Sequence, residues 1–197
     1  LMKQFKGQKD IEKDIELLNS QVERCNEILK RLTVNPVEED EFIDKDINIR
    51  NYLHEIISSF KEISKKDFIF NFDQDSNSKK ITKSIEIVYG LRNFIGNANK
   101  FAANTIFINL KSDSEITEIT IEDDGDGYPR DIISKIGEPY LKSNYSKYQS
   151  KEGLGLGLFI GKTLLEKNFA SVNCRNSETR TGAEVIICWN NKELFNI

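Results

Sequence analysis

Several residue types are scarce in this sequence, and each scarcity closes off a class of protein. One histidine, one methionine, one tryptophan, three prolines and three cysteines are spread over 197 residues. The cysteines, Cys25, Cys174 and Cys188, are odd in number and lack metal-ligand spacing, which suits a reducing compartment and places the chain in the cytoplasm. Basic charge is also short. Lys and Arg number 28 against 32 Asp and Glu, a net charge of −4, and no basic run is interleaved with aromatics. That argues against nucleic acid as a partner. No apolar stretch approaches membrane-spanning length and LMKQFKGQ is no signal peptide, so no membrane contact is expected in this chain, although a longer parent protein could be anchored. Starting at Leu1 instead of Met, the sequence reads as a piece of something longer. What it does have is 38% hydrophobic content, sufficient for one ordinary domain plus an appendage.

Organisation follows from periodicity. Ile11, Ile15, Leu18, Val22, Cys25, Leu29 and Leu32 recur at alternating steps of four and three, the seam of a coiled-coil-like helix that needs a partner helix. Pairing with a second chain is the expectation, with residues 1–34 as the dimerisation helix and Cys25 on the seam. The acidic stretch TVNPVEEDEFIDKD carries Pro36 and marks a linker over 35–46. A second domain, 47–197, should open with a helix whose buried face is Ile49, Tyr52, Leu53, Ile56, Ile57, Phe60 and Ile63. Strands are expected at Asp67 to Phe72, Asn104 to Leu110, Glu115 to Asp123, Phe169 to Arg175 and Ala183 to Trp189. Helices are expected from Ile81 to Ala102, as a short helix PRDIISKI beginning at Pro129, and from near Gly155. This order predicts an α+β sandwich with helices on one face of a mixed sheet.

Three constellations carry chemistry. EGLGLGLFIGKT ends like a phosphate-binding P-loop, but counting back from Gly161 puts Leu156 where that pattern needs its first glycine. Leu158, Phe159 and Ile160 fit the buried side of a helix better, leaving Gly153, Gly155 and Gly157 as a close-bending approach to a helix N-terminus, which attracts anions. EDDGDGYP half-matches a calcium loop, yet Ile133 stands where the bidentate Glu belongs and a strand precedes it. Alternatively Asp123 is held at a strand end, with Gly125 and Gly127 keeping a slot free for a flat ring. A carboxylate there accepts from an exocyclic amine such as adenine's and disfavours guanine's carbonyl. A solvated acidic turn is the plainer reading. In GLRNFIGNANKFA, Asn93, Asn97 and Lys100 share a helix face opposite Val88, Leu91, Ile95, Ala98 and Ala102. Asparagines, with Gly90 and Gly96 costing about 1 kcal/mol each, are poor choices for mere solvation. Amide oxygens suit a Mg²⁺ shell, and a lysine one turn on suits phosphate.

In this order and spacing, the three resemble the ATP-binding domain of sensor histidine kinases, in the wider superfamily with gyrase and heat-shock ATPases. The resemblance covers Ile47 to Trp189 and implies a two-layer α/β sandwich of the Bergerat (GHKL) type. It implies Asn97 as Mg²⁺ ligand with Asn93 beside it, Lys100 on phosphate and Asp123 on the adenine amine. Gly125 and Gly127 would flank the base, and Gly153, Gly155 and Gly157 would close a lid over the phosphates of ATP. GEPYLKSN resembles the aromatic segment of that lid, with Tyr140 packing and Lys142 facing phosphate, and Gly182 resembles the last glycine of the pattern.

Hydrolases of the superfamily place a Glu where this chain has Asn93, and an amide cannot take water's proton. The site therefore looks built to hold ATP for a histidine supplied elsewhere. His54 does not qualify: Ser59 stands where the family has proline, and the residue lies beyond the linker. The first helix resembles the second half of a dimerisation hairpin, so the acceptor is expected upstream of Leu1, and a response regulator receiver domain is the implied partner. LLNSQVERCNEILKRL and GEPYLKSN also resemble the RegB/PrrB type of redox-responsive kinase, which makes Cys25 a redox candidate, or else an inert apolar seam residue. An anti-sigma-type serine kinase and a degenerate ATP-binding interaction module remain as alternatives.

Overall fold

The computed structural model describes residues 47–73, 80–81, 84–141 and 155–195. The chain divides into units Leu1–Phe42 and Ile43–Ile197, and every described residue belongs to the second. The helix expected over residues 1–34, the linker expected over 35–46 and Cys25 lie outside the described residues, as do Lys142 and Gly153.

Five strands make one sheet, in the order Asp67–Phe72 (β2), Thr105–Ser112 (β4), Ile116–Asp123 (β5), Ala183–Asn190 (β7) and Ser171–Asn176 (β6). β2 runs parallel to β4 and every other pairing is antiparallel. Two-residue strands β1 (Ile47–Asn48) and β3 (Lys80–Ile81) form a separate small pair. Alternation along the sheet sorts the faces: Ile106, Ile108 and Leu110 of β4, Ile119 and Ile121 of β5, and Val185, Ile187 and Trp189 of β7 are buried. That period of two places them on one face. Against this face lie α1 (Ile49–Lys61), α2 (Ile85–Phe101) and α3 (Gly157–Lys167), and α4 (Asn191–Leu194) ends the described chain. The expected two-layer α/β sandwich is therefore present.

Each helix starts and stops for local reasons. Asn48 caps α1, its Oδ1 accepting from the Arg50 N–H at 2.8 Å, and Ile49, Tyr52, Leu53, Ile56 and Ile57 turn inward. Ser84 caps α2 through the Ile87 N–H at 3.3 Å. At its other end Lys66 Nζ donates to the carbonyls of Asn99 and Ala102, each at 2.5 Å, supplying partners for groups that the helix leaves open. Trp189 reaches from β7 to the end of α3, its ring N–H donating to the Asn168 carbonyl at 3.0 Å.

Four expectations need correcting. Ile81 belongs to β3, paired with Ile47, and α2 begins only after Ser84. Ile63 is 81% exposed because α1 ends at Lys61, before the apolar period reaches it. After Pro129 there is only a single 3₁₀ turn, Ile133–Lys135. Gly90 answers to packing instead of to a ligand: a Cβ there would lie 2.6 Å from Leu165 Cγ, and one on Gly161 would lie 3.0 Å from Phe94. Close approach of α2 and α3 thus explains Gly161, the residue that imitated a P-loop glycine.

Candidate functional site: a buried carboxylate set among glycines

Asp123 ends β5 and is buried, 3% exposed. Its Oδ1 accepts from the N–H of Gly125 at 2.9 Å and of Ala183 at 3.3 Å. Among the described residues, nothing donates to its Oδ2, which leaves a buried acceptor open. Burial pushes the carboxyl upward, the two N–H groups pull it back, and the balance stays above the ordinary value. Glycines crowd this group because side chains do not fit. A Cβ on Gly182, at φ +117, would run into the Asp123 carbonyl, and one on Gly125 would run into the Phe101 carbonyl at the end of α2. Gly127 has φ +75, which favours glycine.

The turn after β5 is held at both ends. Asp124 Oδ1 accepts from the N–H groups of Ala103, Asn104 and Thr105 at 2.8, 2.9 and 3.0 Å. Burial raises this carboxyl, but the three donors outweigh burial and its pKa is lowered. Asn176, at the end of β6, bonds both backbone groups of Tyr128: Oδ1 accepts from its N–H at 2.6 Å and Nδ2 donates to its carbonyl at 3.1 Å. Neither anchor follows from local pattern, since each pairs segments far apart in sequence.

The polar face of α2 points toward the start of α3. Asn93 Nδ2 donates to the Tyr89 carbonyl at 2.8 Å, and among the described residues nothing donates to its Oδ1. That oxygen would lie 3.5 Å from a Cβ on Gly157, the first residue of α3. Among the described residues no side chain caps the α3 N-terminus, and the first N–H groups of a helix suit an anion. Asn97, half-buried one turn further along α2, makes no hydrogen bond with a described residue. Lys100 sits exposed in the last turn with Nζ 5.3 Å from the Phe101 ring centroid. Gly155, at φ +69, packs against the backbone of Tyr140 and Leu141, and Leu141 N–H donates to its carbonyl at 3.2 Å. Tyr140 is half exposed, at φ 60.

α2 thus touches both places: Asn93 lies beside Gly157 at the start of α3, and the Phe101 carbonyl at its end lies against Gly125. Hard amide oxygens beside open N–H groups form a donor set that fits a magnesium-bound phosphate. Among the described residues, no group of three or more His, Cys, Asp or Glu could hold a metal ion by itself.

Residues 82–193 match the model of the histidine kinase-, DNA gyrase B-, and HSP90-like ATPase family. The chain belongs to this family. Over 207 residues it is 30% identical to the sensor histidine kinase RegB of Cereibacter sphaeroides, covering 96% of this chain and 44% of that protein. It is 27% identical over 183 residues to the histidine-protein kinase ArlS of Staphylococcus aureus, covering 86% and 40%. The chain thus spans less than half the length of the curated relatives it matches. Among solved structures, the catalytic domain of histidine kinase ThkA aligns with a TM-score of 0.61 at 21% identity, covering 74% of this chain and 96% of that one. The relatives that it resembles are sensor histidine kinases, and the solved structure shares its fold.

Proposed function

We propose that this domain holds Mg²⁺-ATP for attack by a histidine on a dimerisation hairpin, and that the phosphoryl group is then relayed to a response regulator receiver domain. The observation that carries the reading is the buried Asp123 carboxylate, whose Oδ2 accepts from no described residue, set among Gly125, Gly127 and Gly182 where the end of α2 meets the β5 turn. Asp123 accepts from the adenine amine, and Gly125 and Gly127 leave room for the ring. Asn97 and Asn93 offer amide oxygens to Mg²⁺, which when bound neutralises charge on the phosphates. The α3 N–H groups and Lys100 take phosphate oxygens, with Lys142, Tyr140, Gly153, Gly155 and Gly157 closing over them. Asn93 has no basic lone pair to deprotonate water, so the site favours transfer over hydrolysis. Residues 1–34 would be the second helix of the hairpin, 35–46 the linker, and the dimer would form through that helix in the cytoplasm. No helix among the described residues is long and apolar enough to cross a membrane. Cys25 would be the redox-sensing thiol on the dimer seam.

The test supplies a purified hairpin bearing its histidine, labelled Mg²⁺-ATP and this chain, and assays acid-labile phosphate on the hairpin. Label transfer that disappears with Asp123→Asn supports the reading. Release of free phosphate without hairpin labelling would mean a hydrolase instead. For Cys25, equal dimer bands from the parent and Cys25→Ser on non-reducing gels after mild oxidation would end that part.

A further inference from the structure

The walls of the slot come from two strands that meet in one rung. Asn176 of β6 pairs with Ala183 of β7. Ala183 gives its N–H to Asp123 Oδ1, while Asn176 grips Tyr128 at both backbone groups. One rung therefore holds the carboxylate on one side and the glycine turn on the other. Asn176 also accounts for Gly127 beyond its φ, because a Cβ at Gly127 would sit 2.7 Å from Asn176 Oδ1. The rung is in turn fixed from behind. Ser177 Oγ donates to buried Glu122 at 2.6 Å, and Arg180 lies 3.6 Å from the same carboxylate and 3.9 Å from the Phe107 ring centroid. Glu122 precedes Asp123 on β5 and faces the other side of the sheet, so the turn between β6 and β7 is pinned on one face while its rung shapes the slot on the other.

We infer that Asn176 is a positioning residue for purine selection, setting the gap between the open Asp123 oxygen and the Gly127 wall. This rests on the adenine reading of the slot. Asn176 touches no nucleotide itself. It acts by holding the Gly125–Tyr128 turn in register with the carboxylate. An asparagine is suited to this because its side chain carries a donor and an acceptor side by side, matching the N–H and carbonyl of a single residue.

The experiment compares the whole chain with Asn176→Ala and Asn176→Asp. Mg²⁺-ATP and Mg²⁺-inosine triphosphate compete against a fluorescent ATP analogue, and melting scans run alongside. Inosine triphosphate presents a carbonyl and an N1–H where adenine has its amine and a bare N1, so the ratio of the two affinities reads the purine edge that faces Asp123 and leaves the shared sugar and phosphate contacts out. Alanine removes two backbone hydrogen bonds, and the preference for ATP should fall about tenfold. Aspartate keeps the acceptor for Tyr128 N–H and loses the donor, so it should rescue part of the preference. A merely structural role would lower both affinities together and leave their ratio alone, which would overturn the inference, as would an unchanged ratio in both variants. If the alanine variant does not fold, the aspartate variant decides by the same ratio. A parent chain that takes both nucleotides equally would overturn the adenine reading and this inference together, whereas a selective parent with an unchanged variant ratio overturns this inference alone.

Discussion

Changing Asp123 to asparagine separates the two tasks of one carboxylate. Its Oδ1 is committed to the N–H groups of Gly125 and Ala183. Asparagine can keep both bonds only by turning its amide oxygen to them, and its NH₂ then faces the slot where Oδ2 had been. An adenine amine arriving there meets a donor in place of an acceptor. A hydrogen bond to a charged group contributes about 1.5–3 kcal/mol, and about 1.4 kcal/mol corresponds to tenfold, so ATP affinity should fall by about 10- to 150-fold. Inosine triphosphate, with a carbonyl at that edge, should lose far less or gain. The nucleotide-free fold should not suffer. Burial holds the Asp123 carboxyl above its ordinary value, so the ionised form is the costly one in the folded state, and a neutral isostere relieves that cost. Calorimetry of both nucleotides with parent and variant, together with thermal melts, provides the readout. Equal losses for both nucleotides, or a melting temperature that drops with affinity, would refute the reasoning.

The same carboxyl fixes a pH dependence. Its folded pKa lies above its unfolded value, so protons bind the folded form more tightly: the stability penalty is present at neutral pH and relieved as pH falls through the folded value. Adenine affinity is lost over that same interval, above the ordinary 3.8, and the difference between parent and Asp123→Asn cancels other acids. A difference that stays flat down to acid unfolding contradicts it. Asn97→Ala should remove the Mg²⁺-dependent gain in ATP affinity and spare binding measured in a chelator, whereas equal losses in both conditions would relieve Asn97 of its metal role. On α2, Gly96→Ala should stabilise by up to about 1 kcal/mol, because its Cβ would meet nothing nearer than Phe60 at 3.6 Å. Gly90→Ala should destabilise by about 1–3 kcal/mol through overpacking on Leu165, and the two melting shifts should therefore have opposite signs.

What was legible in the sequence was whatever local period or local chemistry specifies. The apolar stripe of α2, the alternation of β4 and β5, and the glycine spacing around Asp123 all depend on neighbours within a few residues. The short pair of β1 and β3 escaped notice because Ile47 and Ile81 meet only after the chain has passed through α1 and β2. Asn176 fell one residue past the expected strand end at Arg175 and drew no notice, since its partner Tyr128 is 48 residues away. Gly90 and Gly161 were visible as oddities, but only the approach of two helices supplies their cause. Ile63 continued a period that the chain abandons when it turns out of α1.

Trp189 gives the experimentalist something further. It is the only tryptophan in the chain, 1% exposed, with its indole N–H tied to the end of α3. Its register partner on β5, Thr117, is six residues from Asp123, about 20 Å at the rise of a strand. Intrinsic emission should therefore start blue-shifted, redden only when α3 detaches from the sheet, and ignore adenine in the slot, giving unfolding a built-in optical signal that ligand occupancy does not contaminate.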